Sequence, residues 1–147
     1  MLNRTTSAKK RGFTLVELLI VIVILAVLAA IAIPRFMDSG TRSKEASLKS
    51  NLKLVRNSIE LFHNDTGAWP AALSDLTGSS APSAGKDNAG ASKTIASSDY
   101  KGPYLQAVPT DPVSGNAFTY STTAGTVGKL TSSASGNGLD GTAYSGW

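Results

Sequence analysis

Residues 13–33, FTLVELLIVIVILAVLAAIAI, form an apolar run interrupted only by Thr14 and by one acid, Glu17. Coiled as a helix, these 21 residues extend about 31 Å, the thickness of a bilayer's hydrocarbon core and more than the 7–15 residues of a secretory signal's apolar region. The chain is therefore expected to keep this helix in or near a membrane. A carboxylate in the middle of such a segment costs about 2.5–3.5 kcal/mol on insertion scales, which marks Glu17 as functional.

The formal charge of +4 does not indicate a nucleic-acid face. Arg4, Lys9, Lys10 and Arg11 supply all of it, and from residue 13 onward ten basic side chains face ten acidic ones. The leader ahead of the run is thus the basic part, and the positive-inside tendency holds residues 1–12 in the cytoplasm and sends everything after the run across the membrane. Without cysteine there is no disulfide framework, and a single histidine, His63, excludes a multi-histidine metal cluster. No nucleophile elbow, phosphate loop or paired-carboxylate spacing is present, so no enzyme is expected. His63 is expected to cap the helix end or face solvent, and Arg35, Arg42, Lys44 and Lys49 to form a solvated helix face rather than a nucleic-acid patch.

Lys10-Arg11-Gly12 followed by Phe13-Thr14-Leu15-Val16-Glu17-Leu18 resembles the processing signal of type IV prepilins and type II secretion pseudopilins. The resemblance implies cleavage between Gly12 and Phe13 by a prepilin peptidase, N-methylation of Phe13, retention of the helix and assembly of many copies into a filament. It also implies an inner-membrane assembly platform and minor pilins or pseudopilins as partners, with a bacterial inner-membrane location and a periplasmic C-terminal domain. Cleavage creates a new α-amine on Phe13, the opposite charge that a carboxylate in an apolar bundle needs. In the family the paired amine belongs to a neighbouring subunit, so Glu17 would set the axial register: a one-turn slip would strand both charges in a dry core. Ala26, Ala29, Ala30 and Ala32 offer small surfaces for close helix approach.

Pro34 ends the run and is expected to kink or locally melt the helix, because it lacks an N–H and crowds the preceding turn. Beyond it Leu48, Leu52, Val55, Ile59 and Phe62 recur at spacings of four and three, an amphipathic stripe that ends at Asn64-Asp65-Thr66-Gly67. The organisation expected is a leader over residues 1–12, a membrane or filament-core helix over 13–33, an amphipathic helix over 34–66 and a globular domain over 67–147. The fold class is α+β, type IV pilin-like, with the long N-terminal helix packed on a small antiparallel sheet with long loops.

Within the globular part, residues 78–98 are rich in Gly, Ala and Ser, and read as a long flexible surface loop that adds little to a core. Phe118 to Ser121 alternates as a half-buried strand, with further strands expected over 126–131 and near 142–145. The stretch from Tyr104 to Tyr120 resembles the corresponding segment of the major type II secretion pseudopilin, although Val113 and Ser114 stand where that protein commonly has a tryptophan after Asp-Pro. Major pseudopilins carry a calcium site in their C-terminal loops. The oxygen donors that resemblance points to here are Asp111, Asn116, Asn137 and Asp140, with ordinary turn chemistry as the alternative. A surface pilus subunit for motility, adhesion or DNA uptake shares all the N-terminal features. An unprocessed single-pass anchor displaying a binding domain is the remaining alternative.

Overall fold

A computed structural model describes residues 12–147 of the chain; the basic leader lies outside the described residues. One helix, α1 (Leu15–Thr66), is followed by four short strands, β1 (Ala84–Lys86), β2 (Ser92–Thr94), β3 (Thr119–Tyr120) and β4 (Leu130–Thr131), with 3-10 turns at Leu73–Leu76 and Tyr144–Gly146. The chain divides between Ser39 and Gly40 into two compact units. This is the α+β architecture expected from the sequence.

In the first unit none of the apolar span is buried among the described residues. The span Leu15–Ile33 has mean hydropathy 3.2 and is long and apolar enough to cross a membrane. The helix continues through Pro34, so of the kink or local melting expected there the melting does not occur. One missing N–H removes one main-chain bond, while the alanine-rich turns before the proline favour continued helix.

The second unit, Gly40–Trp147, is organised by the stripe on α1. Leu48, Leu52, Val55, Ile59 and Phe62 are all 2% exposed or less, and they pack with Leu76, Ile95, Leu105, Phe118, Leu130 and Tyr144 into one core. The spacing of four and three places all five on one helix face, so burying that face fixes how the loops must wrap. Gly67 ends the helix with φ +65°, and its N–H donates to the His63 carbonyl at 2.8 Å, the single bond of a left-handed cap.

The strands form two separate antiparallel pairs, β1 with β2 and β3 with β4. Residues 78–98 are not the featureless loop expected. They hold the β1–β2 hairpin, extended by a bridge between Trp69 and Lys86 (N–O distances 2.8 and 2.7 Å), and they send Ile95 into the core. The turn is built by Asp87, whose Oδ1 accepts the N–H groups of Ala89 and Ala91 at 2.9 and 2.8 Å. Hydrogen bonding closes this hairpin in place of apolar alternation, so the segment carries no strand periodicity. The strand expected over 126–131 is β4, reduced to Leu130–Thr131. The strand expected near 142–145 is instead a 3-10 turn, Tyr144–Gly146, that buries the Tyr144 ring. His63 neither caps nor faces open solvent: its ring stacks on Trp69 at 3.9 Å and 5° between planes.

Candidate assembly site at the start of the long helix

Gly12, Phe13 and Thr14 precede α1 in non-helical backbone, and all three are exposed. The Gly12–Phe13 peptide therefore lies outside the helical hydrogen-bond ladder. Among the described residues, a Cβ placed on Gly12 would meet nothing within 4 Å.

Glu17 lies three residues after Thr14, and the two form a reciprocal capping box. The Thr14 N–H and its hydroxyl both donate to Glu17 Oε2 at 2.8 Å, while the Glu17 N–H donates to Thr14 Oγ1 at 3.2 Å. Such a box satisfies donors that a helix N-terminus leaves without partners, and the acid also complements the positive end of the helix dipole. One oxygen of the carboxylate thus serves its own helix. Among the described residues Oε1 accepts no hydrogen bond. The capping role was missed in the sequence reading, although Thr-x-x-Glu just before an apolar run is its signal.

Around this site every large apolar side chain from Phe13 to Ile33 is exposed, Phe13 at 80% and Val21, the least, at 47%. A surface this large and continuous needs lipid or other apolar helices to cover it.

In the second unit, α1 holds the C-terminal segment through three polar side chains that the sequence reading did not single out for this. Glu45, buried, accepts from the Leu139 N–H at 2.8 Å and from the Tyr144 hydroxyl at 2.9 Å through Oε1. Lys49 faces Asp140 at 3.5 Å and lies 4.0 Å above the Trp147 ring. Arg56 donates to the Leu130 carbonyl at 2.6 Å and to the main-chain oxygen of Trp147. Their spacing along α1 was visible; their partners, 74–99 residues away, were not.

The proposed calcium donors are distributed differently from a cation site. Asp111 is fully buried, and all four groups aimed at its carboxylate are donors: Val113 N–H (2.8 Å) and Ser114 N–H (3.2 Å) on Oδ1, Ser133 N–H (3.1 Å) and the Ser132 hydroxyl on Oδ2. Burial pushes this carboxyl up, but the four hydrogen bonds outweigh it and hold the group below its usual value. Asp140 is exposed and accepts from the Thr142 N–H at 2.9 Å and from its hydroxyl, which lowers its pKa further than its Lys49 neighbour does. Asn137 bridges to Ala143 and Asn116 lies at the surface. Among the described residues no group of three or more acidic, histidine or cysteine side chains could hold a metal. The donor set does not fit a calcium ion as arranged. Of the basic side chains considered as a surface patch, Arg42 and Lys44 are exposed, Lys49 is engaged with Asp140 and Trp147, and the side chain of Arg35 lies outside the described ones.

An apolar helix with a capped acid at its start, continued by a helix that carries a small loop-rich domain, defines a pilin-like class of subunit, and comparison with known proteins narrows it. Residues 7–33 match the family model for the prokaryotic N-terminal methylation motif, and residues 35–143 match that for type II secretion system protein G. The type II secretion system core protein G of Klebsiella pneumoniae is 30% identical over 105 residues, which cover 71% of this chain and 69% of that protein. The type IV major pilin of Myxococcus xanthus is 46% identical over 57 residues (39% of this chain, 26% of the relative), and the fimbrial protein of Eikenella corrodens is 39% identical over 62 residues (42% and 40%). The chain thus spans well under two thirds of the length of these last two relatives. No solved structure matches it at a significant level. The chain belongs to the type II secretion system protein G family.

Proposed function

We propose that this chain is the major pseudopilin of a type II secretion system, a structural subunit without enzymatic activity of its own. It inserts through residues 13–33 with the basic leader in the cytoplasm and the globular domain in the periplasm. A prepilin peptidase hydrolyses the Gly12–Phe13 peptide and the new amine is methylated. An inner-membrane platform then adds the subunit to a periplasmic filament of many copies, with minor pseudopilins as further partners. The observation that carries this reading is the N-terminal arrangement: an exposed, non-helical Gly12–Phe13 peptide directly before a capped acid on an apolar helix whose large side chains are exposed.

Glu17 has a defined part in that assembly. Its Oε2 stays with Thr14, and its Oε1 receives the methylated amine of Phe13 from the adjacent subunit, pairing two charges that a dry helix bundle would otherwise strand. A Glu17→Ala subunit is processed but does not assemble; normal filaments from it would refute the register role. Intact mass of envelope material tests the processing, with a chain starting at N-methyl-Phe13 expected and an unmodified Met1 terminus ruling it out. Deletion separates the two machines in the family's vicinity: loss of secreted proteins with surface motility intact supports the secretion role, and the reverse supports a surface pilus.

A further inference from the structure

We propose that the C-terminal loops of this protein are stapled by a clasp of hydrogen-bond donors around Asp111, which takes the place of a bound cation, so that the domain folds without calcium. The inference concerns the fold of the single chain and stands apart from the filament reading.

The polarity of the surroundings carries it. A calcium ion takes six to eight oxygen ligands, so a carboxylate that binds one must be faced by other lone pairs converging on the same point. Asp111 is faced by the reverse. Three N–H groups and one hydroxyl converge on its two oxygens, two donors on each, and the carboxylate has no face left for a metal. The donors come from two loops far apart in sequence, Val113 and Ser114 from its own turn, and Ser132 and Ser133 from the segment after β4.

The serine hydroxyls around the clasp are also engaged. The Ser132 hydroxyl, which donates to Asp111, accepts from the Ala134 N–H at 3.0 Å, and Ser114 Oγ pairs with Ser133 Oγ at 2.7 Å while accepting the Asn116 N–H at 3.1 Å. The main chain closes the turn independently, with Asp111 N–H to the Asn116 carbonyl and Gly115 N–H to the Asp111 carbonyl, both at 2.8 Å. Asp140, the other acid that could have joined a cation site, is held by Thr142 and faces Lys49 at 3.5 Å. An ion entering here would have to displace four hydrogen bonds and turn donors away from the only buried carboxylate among the four proposed ligands. With no cysteine in the chain, a small domain of this kind needs some cross-loop tie, and the clasp supplies it.

Thermal unfolding of the full chain in detergent micelles, followed by circular dichroism, tests this. Tm is expected to be the same in millimolar calcium chloride and in millimolar EGTA, and terbium added in place of calcium is expected to give no luminescence sensitised by the protein's tryptophan and tyrosine. Ser132→Ala, which removes one clasp donor but no charge, is expected to lower Tm by several degrees, equally in both media. A rise of several degrees in the wild-type Tm on adding calcium, or saturable terbium luminescence, overturns the proposal. So does an unchanged Tm for Ser132→Ala. The wild-type arm needs no variant and decides the matter even if a substituted chain fails to fold.

Discussion

Glu45 is the side chain whose loss should be felt most at the junction of helix and C-terminal segment. Its Oε1 holds two donors at once, the Leu139 N–H and the Tyr144 hydroxyl, across 94 and 99 residues of chain. Glu45→Ala leaves both donors without their acceptor; the buried Tyr144 hydroxyl costs about 1–3 kcal/mol and the part-buried Leu139 N–H adds less, so a loss of roughly 2–4 kcal/mol is expected. At roughly 4–8 °C per kcal/mol for a domain of about this size, Tm should fall by about 10 °C or more. Tyr144→Phe removes one of the two bonds and leaves Glu45 its main-chain donor, so it should cost about 1 kcal/mol. The two changes share a partner and should not add: a double-mutant cycle by denaturant unfolding of the detergent-solubilised chain should give a coupling of about 0.5–3 kcal/mol. A coupling indistinguishable from zero, or a Glu45→Ala chain no less stable than a Lys53→Ala control on the exposed face of α1, would refute the reasoning.

Three further outcomes follow from the core and its chemistry. Leu48→Ala, at a fully buried stripe position, should cost about 2–5 kcal/mol by chemical denaturation, whereas the same change at the half-exposed Leu54 should cost much less. Gly128→Ala should destabilise measurably, because φ there is +82° and a Cβ would come within 2.4 Å of the Trp69 ring; quenching or shift of tryptophan emission reports the displacement. Burial pushes the Tyr104 hydroxyl up to about 12, and Tyr100 and Tyr120 upward as well. A raised folded-state value means the unfolded chain releases the proton first, so this stabilisation is complete below about pH 10 and is lost as pH rises toward 12. Phenolate absorbance should therefore rise together with unfolding, and normal titration of all the tyrosines near pH 10 in a chain still folded would contradict the packing around Phe62.

Much of the architecture was legible because it is written in local periodicity. The stripe from Leu48 to Phe62 needs only 3.6 residues per turn to become a face, and every one of its members is buried. The left-handed stop at Gly67 follows from glycine's freedom at positive φ. Where short strands are closed by polar side chains instead of apolar alternation, periodicity is silent. Asp87 builds the β1–β2 hairpin inside a Gly, Ala and Ser stretch that reads as loop, and Ile95 reaches the core from it. The Thr14–Glu17 box lay within reach of the sequence, since its three-residue spacing is a helix-start signature.

Composition and order along the chain determined, without any structure, that an apolar helix of membrane length carries one acid near its start behind a basic leader, and that a second stripe must lie under a domain. Those are consequences of hydropathy and helical pitch, which act over a few turns. Only the tertiary structure decided which polar groups are spent and which are open. Asp111 proved to be saturated by donors from two distant loops, and Glu45 and Arg56 proved to hold the C-terminal segment. The physical reason is that a hydrogen-bonding group is defined by what faces it, and partners 74–99 residues away are chosen by packing rather than by sequence neighbourhood.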